Sequence, residues 1–457
     1  MRIQKTTLKK RLKRFVFIYG ITFVISWAAL FLLIFLGGDR TTGQAWSLLK
    51  DIAGNILSHP AYWGMLLIPY LVFLLVRSLV INYRKKGGKG LLVGIGLKVV
   101  LPLVLITVSM KSLQHYRLSE SFQYTWDSSV DNTSNYIRDL GCIDTKQRGI
   151  HTFNISSNLE DIEKLKTNNF EWITLTPFIW QRQYNSPEVG VPSADRFQET
   201  QMRYAKIKKE CNAYGIKIML KPHIWMRENV PGKWRSNIQM ADNKSWDLWF
   251  DNYEKTMLMY AELAQELGFE QFCIGTELES TVRERPEKWL AFIEKIKKVY
   301  TGSLTYAANW NKEYQEIPFW DALDFIGIQA YFPLSDGENP SLDQLESAWQ
   351  PFISDMEKVS KQFHKPILFT EMGYRSLKGT SQIPWEWGSV SHWFSKISTK
   401  EQYHCYESFF NTVWQQPWFA GIHIWEWQGG SSNGENTSFT IEYKPAMNLV
   451  AKRFYTP

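Results

Sequence analysis

The chain has 457 residues, more than one small domain needs, and its formal charge of +7 is unevenly spread. Residues 1–110 hold fifteen Lys/Arg against two Asp, whereas the remainder has 37 basic and 43 acidic residues. The acidic balance of that larger part argues against nucleic acid as its partner, because phosphate binding wants a basic face.

The N-terminal part reads as membrane. Residues 15–36 run for 22 positions without a charge, enough to span a hydrocarbon core of about 30 Å. Residues 62–81 and 91–110 are two further candidate spans, the second interrupted by Pro69 and Arg77, the third by Lys98 and Pro102. Arg77 lies near a predicted end and can snorkel. Lys98 is deeper, and can reach the interface, pair within the bundle or have a function. The first run is too long for the apolar part of a cleaved signal and ends in Leu-Gly-Gly-Asp, a poor cleavage site, so it reads as retained. Residues 1–14 carry seven Lys/Arg and residues 83–90 carry four, which places both in the cytoplasm. Three spans would then leave everything after Met110 outside, in the periplasm or beyond the cell. Residues 111–148 are a polar lead-in. The four cysteines, Cys142, Cys211, Cys273 and Cys405, permit disulfides in an exported domain, but Cys211 and Cys273 fall in patterns that simply bury them. No CxxC or His/Cys spacing suggests a metal site.

From residue 149 onward, short apolar runs alternate with amphipathic helical patterns. The strand candidates are 149–154, 172–178, 216–222, 272–277, 304–309, 324–331, 366–372 and 421–427, nearly continuous in apolar residues, as strands covered on both faces should be. Between them, Gly215 and Gly268 stop helices, Ser245 is placed to cap one, Ser157 or Asn158 another, and Pro286 starts one. Eight strands alternating with about as many helices is the arithmetic of a (β/α)8 TIM barrel over residues 149–457. An open doubly wound sheet is the competitor, but no glycine-rich phosphate fingerprint is present.

Barrels of this kind place their chemistry at the C-terminal ends of the strands. Those ends hold Trp180, then His223 and Trp225, then Asn309 and Trp310, then Tyr331, then Trp425 and Trp427, while the fourth and seventh strands end in Glu277 and Glu371. Flat aromatic faces beside hydrogen-bonding side chains suit sugar rings. A pair of carboxylates is the standard equipment for cleaving a glycosidic bond. Each glutamate alone reads more simply as a surface residue; the two together, among aromatic strand ends, carry the catalytic reading. Glu279 and Glu426 read as structural pairing partners, and His151 as a buried polar group or substrate contact.

The runs GTEL (275–278) and FTEMGY (369–374), with GIHTFN (149–154) and HIWEW (423–427), resemble clan A of the glycoside hydrolases, most closely family 113 of β-mannanase type. The resemblance covers about residues 149–450. It implies that Glu277 is the general acid/base and Glu371 the nucleophile, that Tyr331 hydrogen-bonds the nucleophile, and that Trp425 floors the first subsite. Many clan members have Asn before the acid/base, where this chain has Thr276, so handling of the sugar 2-hydroxyl is open. The expected activity is retaining hydrolysis of β-mannosides or β-1,4-manno-oligosaccharides by a membrane-anchored enzyme that needs no metal or organic cofactor. The alternatives are a clan A hydrolase of another β-glycan and a non-catalytic sugar-binding barrel.

Overall fold

A computed structural model of the chain describes residues 17–21, 68–118, 146–155, 159–228, 230–337, 339–386, 395–429 and 436–455. The chain divides into two compact units, residues 1–114 and 115–457. In the first, helix Ile68–Ile95 passes through a π-helical turn, Gly96–Val100, into helix Leu101–Leu118. Among the described residues one helical stretch, Tyr70–Leu113, is long and apolar enough to cross a membrane. That is one such stretch where three spans are expected, but it joins two helices at a kink at Gly87, and the described parts of the runs expected at 62–81 and 91–110 fall on its separate arms. The basic loop expected at 83–90 is helical except at Gly87, which sits at φ 59° and ψ −151°, a conformation open to glycine alone. The chain turns back there. Lys98 Nζ donates to Ser78 Oγ at 2.6 Å, although twenty residues of straight helix would hold them about 30 Å apart. Of the three readings of Lys98, pairing inside the bundle is the one observed. The span expected at 15–36 lies outside the described residues apart from 17–21, which are helical.

The second unit is a closed barrel of eight parallel staves. They are β1 (Gln147–Thr152), β2 (Trp172–Leu175), β3 (Lys217–Leu220), β4 (Gln271–Thr276), β5 (Ser303–Asn309), β6 (Phe325–Gln329), β7 (Ile367–Met372) and β8 (Phe419–Trp427). Each pairs with its neighbours in sequence, and β8 closes on β1. Parallel neighbours require a crossover, usually a helix. Helices Ala194–Ala213, Asn243–Leu267, Pro286–Val299, Leu342–Phe363 and Thr399–Asn411 supply most of these crossovers. The run expected as a single strand at 172–178 stops at Leu175. A separate short strand, Phe178–Gln181, pairs with His223–Met226 beyond the ends of β2 and β3.

Local chemistry sets the helix ends. Asp242, not Ser245, caps the helix Asn243–Leu267: its side chain accepts from the Ser245 N–H, and Gly268 closes the far end in the left-handed region. Pro286 opens the next long helix, where its missing N–H costs nothing. The helices bury aromatic rings against the staves. Trp249, Trp289, Trp320 and Trp349 are wholly buried, each worth roughly 2–3 kcal/mol in area removed from water. Cys211, Cys273 and Cys405 are free and buried; Cys142 lies outside the described residues.

Candidate active site

The regular alternation of side chains fails where β4, β7 and β8 reach the barrel mouth. Ile328 pairs with Phe369 but Gln329 with Glu371, so β7 carries one extra residue there. Cys273 pairs with Thr305 and Thr276 with Ala307, again one residue too many on β4. Ile150 pairs with Ile424 and Thr152 with Trp427, leaving Trp425 and Glu426 together opposite His151. Such bulges re-aim side chains and gather beside functional sites. Here they precede Glu277 and bring Glu371 and Glu426 to one opening.

Glu371 is 4% exposed and densely held. Lys221 Nζ, at the end of β3, donates to its Oε1 at 2.5 Å and to Gln329 Oε1 at 2.8 Å. The Tyr331 hydroxyl donates to Glu371 Oε2 at 3.0 Å. His223 Nε2 stands 3.5 Å from Oε1, and burial, then the Lys221 charge, hold that imidazole neutral, well below its usual range. Burial would push the Glu371 carboxyl up, but the Lys221 charge and hydrogen bond outweigh it and hold the group at about 2. Burial likewise takes His151, whose Nε2 meets the Thr370 carbonyl at 2.8 Å, down to about 3.

Glu277 follows β4 with a left-handed backbone, φ 51°. Arg235, in a short turn of 3-10 helix, donates from Nη2 to its Oε2 at 2.6 Å. Asn309 Nδ2 approaches its Oε1 at 3.3 Å. The Arg235 guanidinium also lies over the Trp234 ring at 4.7 Å.

Both carboxylates line one open cavity of about 1500 Å³. Its walls include Phe178, Trp180, Trp225 and Trp234 on the side of the short strand pair. They include Trp310 and Trp385, stacked with centroids 5.0 Å apart, beyond β5. Trp425 lines it too, its ring 5.0 Å from those of His151 and Phe153, and the Trp425–Glu426 peptide is cis. Among the described residues no group of three His, Cys, Asp or Glu side chains could hold a metal ion.

The sequence profile of Glycoside Hydrolase Family 113 matches residues 145–445, more than half of the chain. This chain belongs to glycoside hydrolase family 113. A solved family 113 β-mannanase from Alicyclobacillus acidocaldarius superposes with a TM-score of 0.58 at 27% identity, covering 69% of this chain and 98% of that one. A family 113 β-1,4-mannanase structure gives the same TM-score at 23% identity, covering 69% and 100%. No curated protein matches this chain.

Within this family 113 barrel, most residues expected at the site are assembled there. Trp180, His223, Trp225, Glu277, Asn309, Trp310, Tyr331, Glu371 and Trp425 all line the cavity. Two do not. Thr276 is buried at the end of β4, and the left-handed backbone at the next residue brings Glu277, not Thr276, to the cavity. Trp427 lies in the core, its Nε1 donating to Asp161 Oδ2 at 3.1 Å, since the bulge at 425–426 carries it past the opening. Glu279 opens the short helix Glu279–Glu284 and lies 3.6 Å from Arg283, in keeping with a pairing role. Glu426 departs from its expected role. It accepts from Gln428 Nε2 at 2.8 Å yet also lines the cavity. Burial pushes it up to about 7 against that hydrogen bond, with the Glu371 charge adding to the rise.

Three further cavity or buried residues had no clear sequence signal. Lys221 sits in LKPH, where a lysine before proline reads as a solvated strand end. Arg235 and Trp234 come from a loop that only the tertiary fold brings to Glu277.

Proposed function

We propose that this family 113 domain is a retaining endo-β-mannanase in which Glu371 is the nucleophile and Glu277 the acid/base. The observation that carries the reading is the pairing, in one cavity, of a carboxylate held ionised by Lys221 with a second carboxylate, Glu277, from a different stave. Glu371 attacks the anomeric carbon as the bond to the leaving oxygen breaks, and Glu277 gives that oxygen a proton. The resulting glycosyl-enzyme ester is then attacked by water. Glu277 takes the water's proton and Glu371 departs as carboxylate, so the sugar keeps its configuration after two inversions. Tyr331 and Lys221 stabilise the Glu371 charge whenever it is free.

The substrate assignment follows the Alicyclobacillus relative, described as a β-mannanase. The open cavity, larger than the ~300–1,000 Å³ of small-molecule pockets, with tryptophans on both sides of the carboxylates, suits a chain that enters by its middle. Trp425 would floor the cleaved sugar, and Glu426 would accept one of its hydroxyls. Neither a metal nor an organic cofactor has a role in these steps. The apolar N-terminal segment would tether the barrel to a membrane, with residues 1–14 cytoplasmic and the barrel on the outer side. Protease added to intact spheroplasts should then degrade the barrel.

The direct test of the chemistry is Glu371→Ala in the full-length chain. Turnover of an activated aryl β-mannobioside should vanish, and azide should restore it with an α-mannobiosyl azide product. If wild type and variant process a panel of β-glycosides equally poorly, a non-catalytic sugar-binding barrel is the better account.

A further inference from the structure

Glu277 carries a left-handed φ of 51° on a residue with a full side chain. Such a conformation costs free energy and persists only when surrounding contacts over-determine it. Those contacts are present and buried. The Glu277 N–H donates to the Ala307 carbonyl at 2.8 Å. The next N–H, on Leu278, donates to the Tyr306 hydroxyl at 2.6 Å. That hydroxyl in turn donates to Glu313 Oε1 at 2.6 Å. The other oxygen, Glu313 Oε2, accepts from the Asn309 N–H at 2.6 Å, and Asn309 is the residue whose amide approaches Glu277 Oε1. One buried carboxyl therefore fixes both the backbone behind Glu277 and the side chain in front of it.

The surroundings leave this network little freedom. Tyr306 is fully buried, with Trp289, Phe319 and Trp320 ringed about it. Gly275 makes its ring position available, since a Cβ there would fall 2.9 Å from Tyr306 Cε2 and 2.8 Å from Trp289. Burial, then the neighbouring Glu313, pushes the phenol well above its usual range, so it remains a donor. Glu313 is 1% exposed, and burial pushes it up to about 8. Neither residue lines the cavity.

We propose that Tyr306 and Glu313 form a clamp that positions Glu277 for proton transfer without touching the substrate. The proposal rests on the acid/base role given to Glu277 above. A positioning role makes a selective prediction. Protonating the leaving oxygen matters for a poor leaving group and hardly at all for one that departs as a stable anion. The clamp should therefore be felt only with poor leaving groups, whereas general damage to the barrel would affect both.

The test uses Tyr306→Phe and Glu313→Gln in the full-length chain. Each is assayed on phenyl and 2,4-dinitrophenyl β-mannobiosides, with kcat/KM reporting the glycosylation step alone. Taking the ratio of the two substrates within one preparation cancels any loss of folded protein. Tyr306→Phe leaves the Leu278 N–H without its acceptor, and Glu313→Gln, assayed above pH 8 where the carboxyl is ionised, sets an amide against one of two donors. Both should lower kcat/KM for the phenyl substrate by about tenfold or more, toward the 10²–10⁴ range of general acid catalysis, and leave the dinitrophenyl substrate within about threefold. Equal losses on both substrates, or none on either, would overturn the clamp while leaving the mannanase reading intact. A wild-type chain inert toward both substrates and toward mannan would end both.

Discussion

The two carboxylates at the barrel mouth end staves of the same sheet, yet the fold treats them in opposite ways. Glu371 lies within β7, gripped at its oxygens by three side chains from two other segments, among them the ammonium of Lys221. Glu277 lies one residue past β4, with a strained backbone held from behind and a side chain met by Arg235 and Asn309. A nucleophile must be a fixed anion. A proton carrier must be aimed, and its aim is set through the backbone as much as through the carboxyl.

Substitutions can break or sharpen this contrast. The largest effect belongs to Glu371→Gln, expected to lower kcat on the order of 10⁴-fold or more, equally for good and poor leaving groups. A variant that kept near wild-type turnover would place the nucleophile elsewhere.

Lys221→Met comes next. It strands a buried carboxylate, a change that costs about 3–5 kcal/mol in comparable pairs, measurable by urea unfolding at pH 7. The sign with pH is fixed by the depressed Glu371 value. An unfolded glutamate titrates near 4.3, the native one at about 2, so the stabilisation is full above about pH 4.3 and is lost as pH falls toward about 2. In the Met variant that acid-side loss disappears and the acidic limb of kcat/KM moves to higher pH. An unmoved limb would mean that Lys221 serves packing alone. Tyr331→Phe removes one hydrogen bond to the same carboxylate and should cost about tenfold in kcat. The loss should be the same on both aryl substrates, the opposite of the pattern predicted for Tyr306→Phe.

The smallest effect tests a correction. Thr276→Val keeps the shape and removes the hydroxyl. With Thr276 outside the cavity, KM should not change, whereas a lost substrate hydrogen bond would raise it about tenfold.

Much of this architecture was legible in the sequence, because all eight staves are buried on both faces and announce themselves as apolar runs. The glutamates were legible for the same reason: each interrupts such a run at its C-terminal end. What failed was the alternation rule near those ends. Bulges at β4, β7 and β8 change which side chain faces the opening, so Trp427 was drawn into the site and Glu426 left out of it. Lys221 was hidden because a lysine beside a proline looks solvated until its carboxylate partner, 150 residues away, is known. Glu313 was hidden in a short helix with no pattern of its own. In the N-terminal unit the apolar runs were visible, but a basic loop and a helix broken at one glycine share the same sequence signal.

The central claim, a fixed nucleophile opposite an aimed acid/base, is tested most directly by proton NMR of the full-length chain acting on mannohexaose. The double displacement predicts that the first new reducing end is the β-anomer, with the α-form growing in afterwards by mutarotation. An α-anomer formed first would mean a single displacement by water and would contradict the role given to Glu371.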